Sequence, residues 1–211
     1  MFEKKEFRKN DYILNYAVDY PKNFDEGKQY PVVFYFHGMG MVQKGIDFVI
    51  QECPVRRERI PEELDFIIVA PSCDDYMWFE NFKNFVSFIE YVENKPYVDE
   101  NRCSITGSSM GGYTCWLLLV LHSELFASAV ICCGGGLYWA GENIKVPVIA
   151  VHGDADGIVL CRESEIMAQK INEFGGKARL IIKEGYGHDV WTSTYSNHDT
   201  YIWIYKQIKQ F

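Results

Sequence analysis

The residues most able to do chemistry cluster around one serine. The segment Cys103-Ser-Ile-Thr-Gly107-Ser108-Ser109-Met110-Gly111-Gly112 fits G-x-S-x-G, and only Ser109 satisfies the spacing. An apolar, strand-type stretch precedes it and a helix-type stretch follows, as a nucleophile elbow requires. Glycines two residues to either side let neighbouring backbones approach a strained turn without a Cβ clash. Such a turn lifts the hydroxyl above the carboxyl end of a sheet, with the N-terminus of the next helix beneath an incoming oxyanion.

A serine hydroxyl becomes a useful nucleophile only when an imidazole takes its proton, and that imidazole needs an acid to fix its tautomer. On strand–turn–helix serine sites, the acid and then the histidine follow the serine in chain order. Of the five histidines, only His188 and His198 lie beyond the acid candidates. His188 falls in the glycine-flanked loop Glu184-Gly-Tyr-Gly-His188-Asp189, whereas Ser196-Asn197-His198-Asp199 reads as the capping region of a terminal helix. The base is therefore expected at His188. The acid should follow the strand before, in Val151-His152-Gly153-Asp154-Ala155-Asp156-Gly157-Ile158-Val159. Asp154 could cap the turn. Asp156 lies further out, with Ile158 and Val159 as a possible anchor. Spacing alone leaves the two near even, with a slight lean to Asp156.

An oxyanion site needs two backbone donors. One is expected from Met110, the residue after the serine. The other is expected from Met39 in Phe36-His37-Gly38-Met39-Gly40, where the glycines permit a tight turn. His37 is expected to be structural, holding that loop by a hydrogen bond. Tyr76, Trp78, Tyr113, Trp139 and Trp191 fall on or near loops that follow strands. They are candidate walls of an acyl or aryl pocket, Trp78, Tyr113 and Trp191 foremost, and equally candidates for core packing under those loops.

These residues need a scaffold. Apolar, β-branched and aromatic runs at Tyr30–His37, Asp65–Ala70, Cys103–Thr106, Ser128–Cys132, Val146–His152 and Ala178–Lys183 are mostly continuous rather than alternating. Strands buried on both faces look like this. Helices are expected at Gly45–Cys53, Phe79–Asn94, Met110–Leu121, Cys161–Phe174 and His198–Gln210, with Gly175-Gly176 as a C-cap signal. Strand and helix alternate from Tyr30 onward, so the fold class is α/β with a mostly parallel, doubly wound sheet. Tyr12–Tyr20 alternates weakly and suits an antiparallel edge strand. One domain over residues 1–211 is expected, with no inserted lid.

Composition narrows the partners. Twenty-nine acidic against 21 basic residues give a net charge of −8, which disfavours phosphate backbones and anionic headgroups. No nucleic-acid or membrane partner is expected, only a small-molecule substrate. The charged start MFEKKEFRKN does not read as a secretory leader, and the longest apolar run, Trp116 to Leu121, is too short to span a bilayer. Seven cysteines without C-x-x-C pairing read as reduced thiols in the cytoplasm. Cys132 and Cys133, adjacent on an expected strand, should point to opposite faces. The cysteines and histidines are too scattered for a standard zinc set, so neither metal nor organic cofactor is expected.

The segments YPVVFYFHGMG (30–40), VDENRCSITGSSMGGYTCW (98–116), ICCGGG (131–136), VPVIAVHGDADGIV (146–159) and GYGHDVW (185–191) together resemble the esterase branch of the α/β-hydrolases. The resemblance is to the dienelactone-hydrolase, feruloyl-esterase and predicted-peptidase groups, and it covers nearly everything from Tyr30 onward. It implies a serine carboxylesterase with Ser109 as nucleophile, His188 as base and Met39 and Met110 as oxyanion donors. In that family the acid of the HGxxDxxV segment is the second aspartate, which implies Asp156. Relatives act on small esters, lactones, aryl esters and peptides. The chain departs from the larger of them in showing no propeller domain and no lid insertion, which makes a large peptide the less expected substrate.

Overall fold

The computed structural model describes residues 1–210. Eight strands form one sheet: β1 (Glu3–Lys9), β2 (Tyr12–Asp19), β3 (Tyr30–Phe36), β4 (Ile67–Pro71), β5 (Val98–Ser108), β6 (Ser128–Cys132), β7 (Val148–Gly153) and β8 (Ala178–Lys183). Their spatial order is β1-β2-β4-β3-β5-β6-β7-β8. β1 pairs antiparallel with β2 and β2 antiparallel with β4, and every other pairing is parallel. Six helices accompany the sheet: α1 (Gly45–Glu52), α2 (Phe82–Glu93), α3 (Met110–His122), α4 (Arg162–Glu173), α5 (Trp191–Tyr195) and α6 (His198–Tyr205).

The continuous apolar runs are explained by helices on both faces. Along β3, Val32, Phe34 and Phe36 enter one core with α2, α3 and α4, while Val33 and Tyr35 enter the other with α1, α5 and α6. Both side-chain directions of a central strand are thus apolar. α3 lies against β3, β5 and β6 and buries nine of its thirteen residues, so its sequence reads apolar all round. α4 ends where the glycine pair predicts. Gly175 takes φ +80°, its N–H reaches Asn172 O, and the Gly176 N–H reaches Ile171 O, a Schellman closure.

Three expectations need correction. β2 is antiparallel but not the edge, because β1 pairs outside it along its whole length. β1 escapes a hydrophobic reading because Phe7 is its one buried residue and charges fill the rest, a composition that protects an exposed edge. β5 starts at Val98 rather than Cys103, the stretch from Asp99 to Arg102 being polar. The terminal helix stops at Tyr205 instead of Gln210, and the chain after it runs back beside β5, with the Lys209 N–H bonded to Asn101 O.

Candidate active site

β5 carries its serine into a turn that few residue types tolerate. Ser109 has φ 56° and ψ −121°, a conformation that costs an L-residue about 1–3 kcal/mol and persists only where its surroundings enforce it. Here they do. The Ser109 N–H donates to Cys132 O and its carbonyl accepts from the Tyr113 N–H. A Cβ on Gly111 would lie 1.9 Å from Phe36 O, and one on Gly107 would lie 2.5 Å from Gly111 O. The glycines of the motif are therefore required by contact between β3, β5 and α3.

The histidine arrives from the loop after β8. His188 Nε2 lies 2.9 Å from Ser109 Oγ, and Nδ1 lies 2.7 Å from Asp156 Oδ2. Because a carboxylate only accepts, Nδ1 carries the proton and Nε2 faces the hydroxyl as an acceptor. Gly153 lets the two loops meet, since a Cβ there would sit 2.2 Å from Tyr186 O. The Trp191 ring meets the His188 ring edge to face, centroids 5.5 Å apart.

The two aspartates have different employment. Asp156 is buried. Its Oδ1 accepts the N–H groups of Ile158 (2.8 Å) and Val159 (3.0 Å), which leaves Oδ2 for His188. Burial alone would raise its pKa, but the hydrogen bonds from His188, Ile158 and Val159 outweigh it and hold the carboxyl below its ordinary value. Asp154 is exposed, and its Oδ1 accepts the Gly185 N–H at 2.7 Å. It ties the two loops together and serves the turn. The expected anchor behind Asp156 differs: the Ile158 side chain is 75% exposed, and backbone N–H groups steady the loop instead.

Met110 opens α3 and Met39 opens a short 3-10 turn, Met39–Met41. First-turn N–H groups have no partner within their own helix, so both donors are available for an outside acceptor. Gly38 brings the two segments together, an added Cβ lying 3.3 Å from Ser109 Cβ. His37 is buried and structural, as expected. Its Nε2 accepts the Cys73 N–H at 3.0 Å, which leaves the proton on Nδ1 to donate to Gly38 O at 2.9 Å. Burial is the main cause that lowers its pKa to about 4, so it stays neutral and keeps both bonds.

The candidate pocket residues separate. Trp78 is buried, donates Nε1–H to His37 O, and packs on Phe36, His37 and Phe85. That makes it core under the loop, though it also borders a cavity of about 500 Å³ shared with Asp11, Asp74 and Asp75. Tyr113 and Trp191 are half-buried, one on the first turn of α3 and the other against His188. Tyr76 and Trp139 are exposed.

Two neighbours of the site went unread in the sequence. Cys133 is not a strand residue. β6 ends at Cys132, Cys133 takes φ 44°, and both cysteines sink into the same core rather than opposite faces. The Cys133 thiol, the Asp156 carboxylate and the His188 imidazole lie within 4.8 Å of one another. Burial pushes that thiol's pKa well up, so it is a neutral neighbour of the pair. The second is His152, whose Nε2 lies 3.3 Å from Asp156 Oδ2. It precedes both Asp156 and His188 in the chain, and nothing in spacing alone shows that the end of β7 sets it beside Asp156.

Comparisons with known proteins agree on the scaffold. Residues 78–135 match the prolyl oligopeptidase family. Dipeptidyl-peptidase 5 of Porphyromonas gingivalis is 20% identical over 80% of this chain, and the match spans about a third (32%) of that relative. A thermostable esterase superposes with a TM-score of 0.82 at 24% identity, covering 99% of this chain and 63% of the esterase chain. Est1E from Butyrivibrio proteoclasticus superposes with a TM-score of 0.72 at 16% identity over 92% of this chain and 96% of its own. Among the described residues no helix is long and apolar enough to cross a membrane. The sheet order, the turn at Ser109 and these likenesses give this chain the α/β-hydrolase fold, a scaffold that esterases and peptidases share.

Proposed function

We propose that this chain is a serine hydrolase that cleaves carboxylic esters through an acyl-enzyme, with Ser109 as nucleophile, His188 as general base and Asp156 as acid. The observation that carries the reading is the unbroken line Ser109 Oγ–His188 Nε2 and His188 Nδ1–Asp156 Oδ2, at 2.9 and 2.7 Å. In the first half-reaction His188 takes the Ser109 proton as Oγ bonds to the ester carbonyl carbon. Asp156 stabilises the imidazolium, and the N–H groups of Met39 and Met110 receive the charge on the carbonyl oxygen. Collapse expels the alcohol, which leaves with the proton from His188. Water, deprotonated by the same imidazole, then releases the acid and restores Ser109. No step in this sequence calls on a metal or organic cofactor.

In this reading the half-buried Tyr113 and Trp191 are the aromatics that meet an acyl or aryl group, which favours small esters. Peptide or amide cleavage is the second reading, favoured by the likeness to the prolyl oligopeptidase family and to a dipeptidyl-peptidase. Seven free cysteines, six of them buried, fit a reducing compartment such as the cytoplasm.

Turnover of a short p-nitrophenyl ester and of its matched anilide, by wild type and by Ser109→Ala, tests both readings. The expected outcome is ester hydrolysis by the wild type that falls by about 10⁴-fold or more in the variant, with a far slower anilide reaction. Equal ester turnover in Ser109→Ala defeats the serine assignment. Faster anilide than ester cleavage moves the substrate class to amides.

A further inference from the structure

Behind Asp156 a row of close polar contacts continues into the protein. His152, the last residue but one of β7, is fully buried and places Nε2 2.9 Å from Val159 O and 3.3 Å from Asp156 Oδ2. Val159 O only accepts, so Nε2 carries a proton and donates it there, with the Asp156 carboxylate close beside that N–H. On the other side of the ring, Nδ1 lies 2.7 Å from Ser164 Oγ, and that hydroxyl lies 2.9 Å from Gly134 O. Ser164 is also fully buried, on the first turn of α4. Ser109, His188, Asp156, His152 and Ser164 therefore form one chain of five side chains, running from the turn after β5 to the helix that packs beside β7 and β8.

We propose that His152 is a positioning residue for this site, a second imidazole that anchors the Val159 carbonyl beside the acid and, held by Ser164, sets both the orientation of Asp156 and how strongly it attracts the His188 proton. The proposal rests on the reading of Ser109, His188 and Asp156 given above. Asp156 Oδ2 accepts from His188, and the His152 N–H, directed at Val159 O, stands 3.3 Å to its other side. The positive end of that N–H dipole offsets part of the carboxylate charge in a buried site. Removing it strengthens the pull of Asp156 on His188 and favours the imidazolium, so the base becomes harder to deprotonate. Val159 donates its own N–H to Asp156 Oδ1, so a loop without the His152 anchor also holds the carboxylate, and with it His188, less accurately, which slows the chemical step rather than substrate binding.

The surroundings allow a clean measurement. The other titratable groups facing Asp156 and His152 are His188 itself, the Cys133 and Cys161 thiols and the Tyr113 hydroxyl. Burial raises the pKa of the last three, so they stay neutral through the working range. Glu163, Glu165, Asp154 and Asp189 stand at the margin of the group.

Two readouts separate positioning from mere packing: the midpoint of the His188 imidazole titration, followed by NMR in substrate-free protein, and the acid limb of kcat/KM for a p-nitrophenyl ester. His152→Leu deletes the donor. His152→Gln keeps an N–H near the position of Nε2. In His152→Leu the midpoint and the acid limb should both rise by about half a pH unit or more, and kcat should fall about tenfold or more with little change in KM. His152→Gln should rescue both, to within about threefold in kcat. Equal shifts in the two variants, or none in either, overturn the proposal. Should His152→Leu fail to fold, Ser164→Ala carries the test: a midpoint raised in the same direction supports the chain, and an unmoved one overturns it. A wild type that turns over no ester defeats the esterase reading, while the NMR titration still decides the role of His152.

Discussion

The two ends of β5 are built to different tolerances. At its carboxyl end Ser109 is held in a strained conformation by two backbone hydrogen bonds, and glycines bring β3 and α3 into direct backbone contact. The side chains reached from that end, His188, Asp156, His152 and Ser164, each have polar partners within 3 Å. At the amino end the Glu93 carboxylate is buried beside the Cys103 thiol, with Lys209 at 3.7 Å, and both Glu93 Oε1 and Arg102 Nε are buried without a hydrogen-bond partner. One strand thus links a region where each polar atom is placed to about a hydrogen-bond length with a region where a charge is kept at a loss. Under the proposed reaction, bonds are made and broken at the carboxyl end, and placement matters there. Elsewhere the fold needs only enough burial to stay closed.

The largest expected effect belongs to the carboxyl end. Asp156→Asn keeps the size of the side chain but loses the charge that fixes the His188 tautomer. Ester hydrolysis should fall by about 10⁴-fold. Asp154→Asn keeps an oxygen that can accept the Gly185 N–H, so its activity should stay within about threefold. Steady-state kcat/KM for the two proteins checks the pair. If Asp154→Asn were the dead variant, the tight network would be centred on the wrong carboxylate and the contrast between the two ends would lose its chemical half.

Stability offers the next test. At Gly111 an alanine Cβ would lie 1.9 Å from Phe36 O and 2.5 Å from Phe36 C, backbone atoms of a central strand that cannot step aside. Overpacking of this kind costs about 3 kcal/mol or more, which for a chain of this size lowers Tm by about 6–12 °C. Thermal unfolding followed by circular dichroism measures it. A Tm within a degree or two of wild type would show that β3 and α3 can separate, and that the carboxyl end is looser than its contacts imply.

Sequence reasoning reached the carboxyl end far better than the amino end, for physical reasons. G-x-S-x-G is legible because the turn it forms excludes every other residue at Gly107 and Gly111. His188 is legible because the chain order leaves one histidine on a loop. Ser128–Cys132 and Ala178–Lys183 are legible to the residue because apolar faces announce themselves. Three kinds of feature stayed hidden. β1 is an edge strand written in charges. Asp99, Glu100 and Asn101 lengthen β5 without any apolar signal. His152 and Cys133 acquire their neighbours only when β6 and β7 end side by side, a long-range placement that local periodicity does not encode. Asp156 lies between these cases: resemblance implied it, and the hydrogen bonds of Ile158 and Val159 give the physical reason.

The smallest expected effect lies at the amino end and has a definite sign in pH. Burial, the largest cause, outweighs the attraction of Lys209 and raises the Glu93 pKa from 4.5 to about 7. The folded protein then holds a proton that the unfolded chain releases between those values. The stability this gives is fully present below about pH 4.5 and is lost as pH rises through 7. Glu93→Gln should therefore match wild type in urea unfolding at pH 5 and exceed it at pH 8 by about 1–3 kcal/mol, with ester hydrolysis unchanged. The lower part of that range is expected, because the variant also leaves the Lys209 ammonium without its partner. A variant less stable than wild type at pH 8 would mean that the ion pair outweighs the burial of its carboxylate, and that the amino end of β5 is as carefully satisfied as the end that carries Ser109.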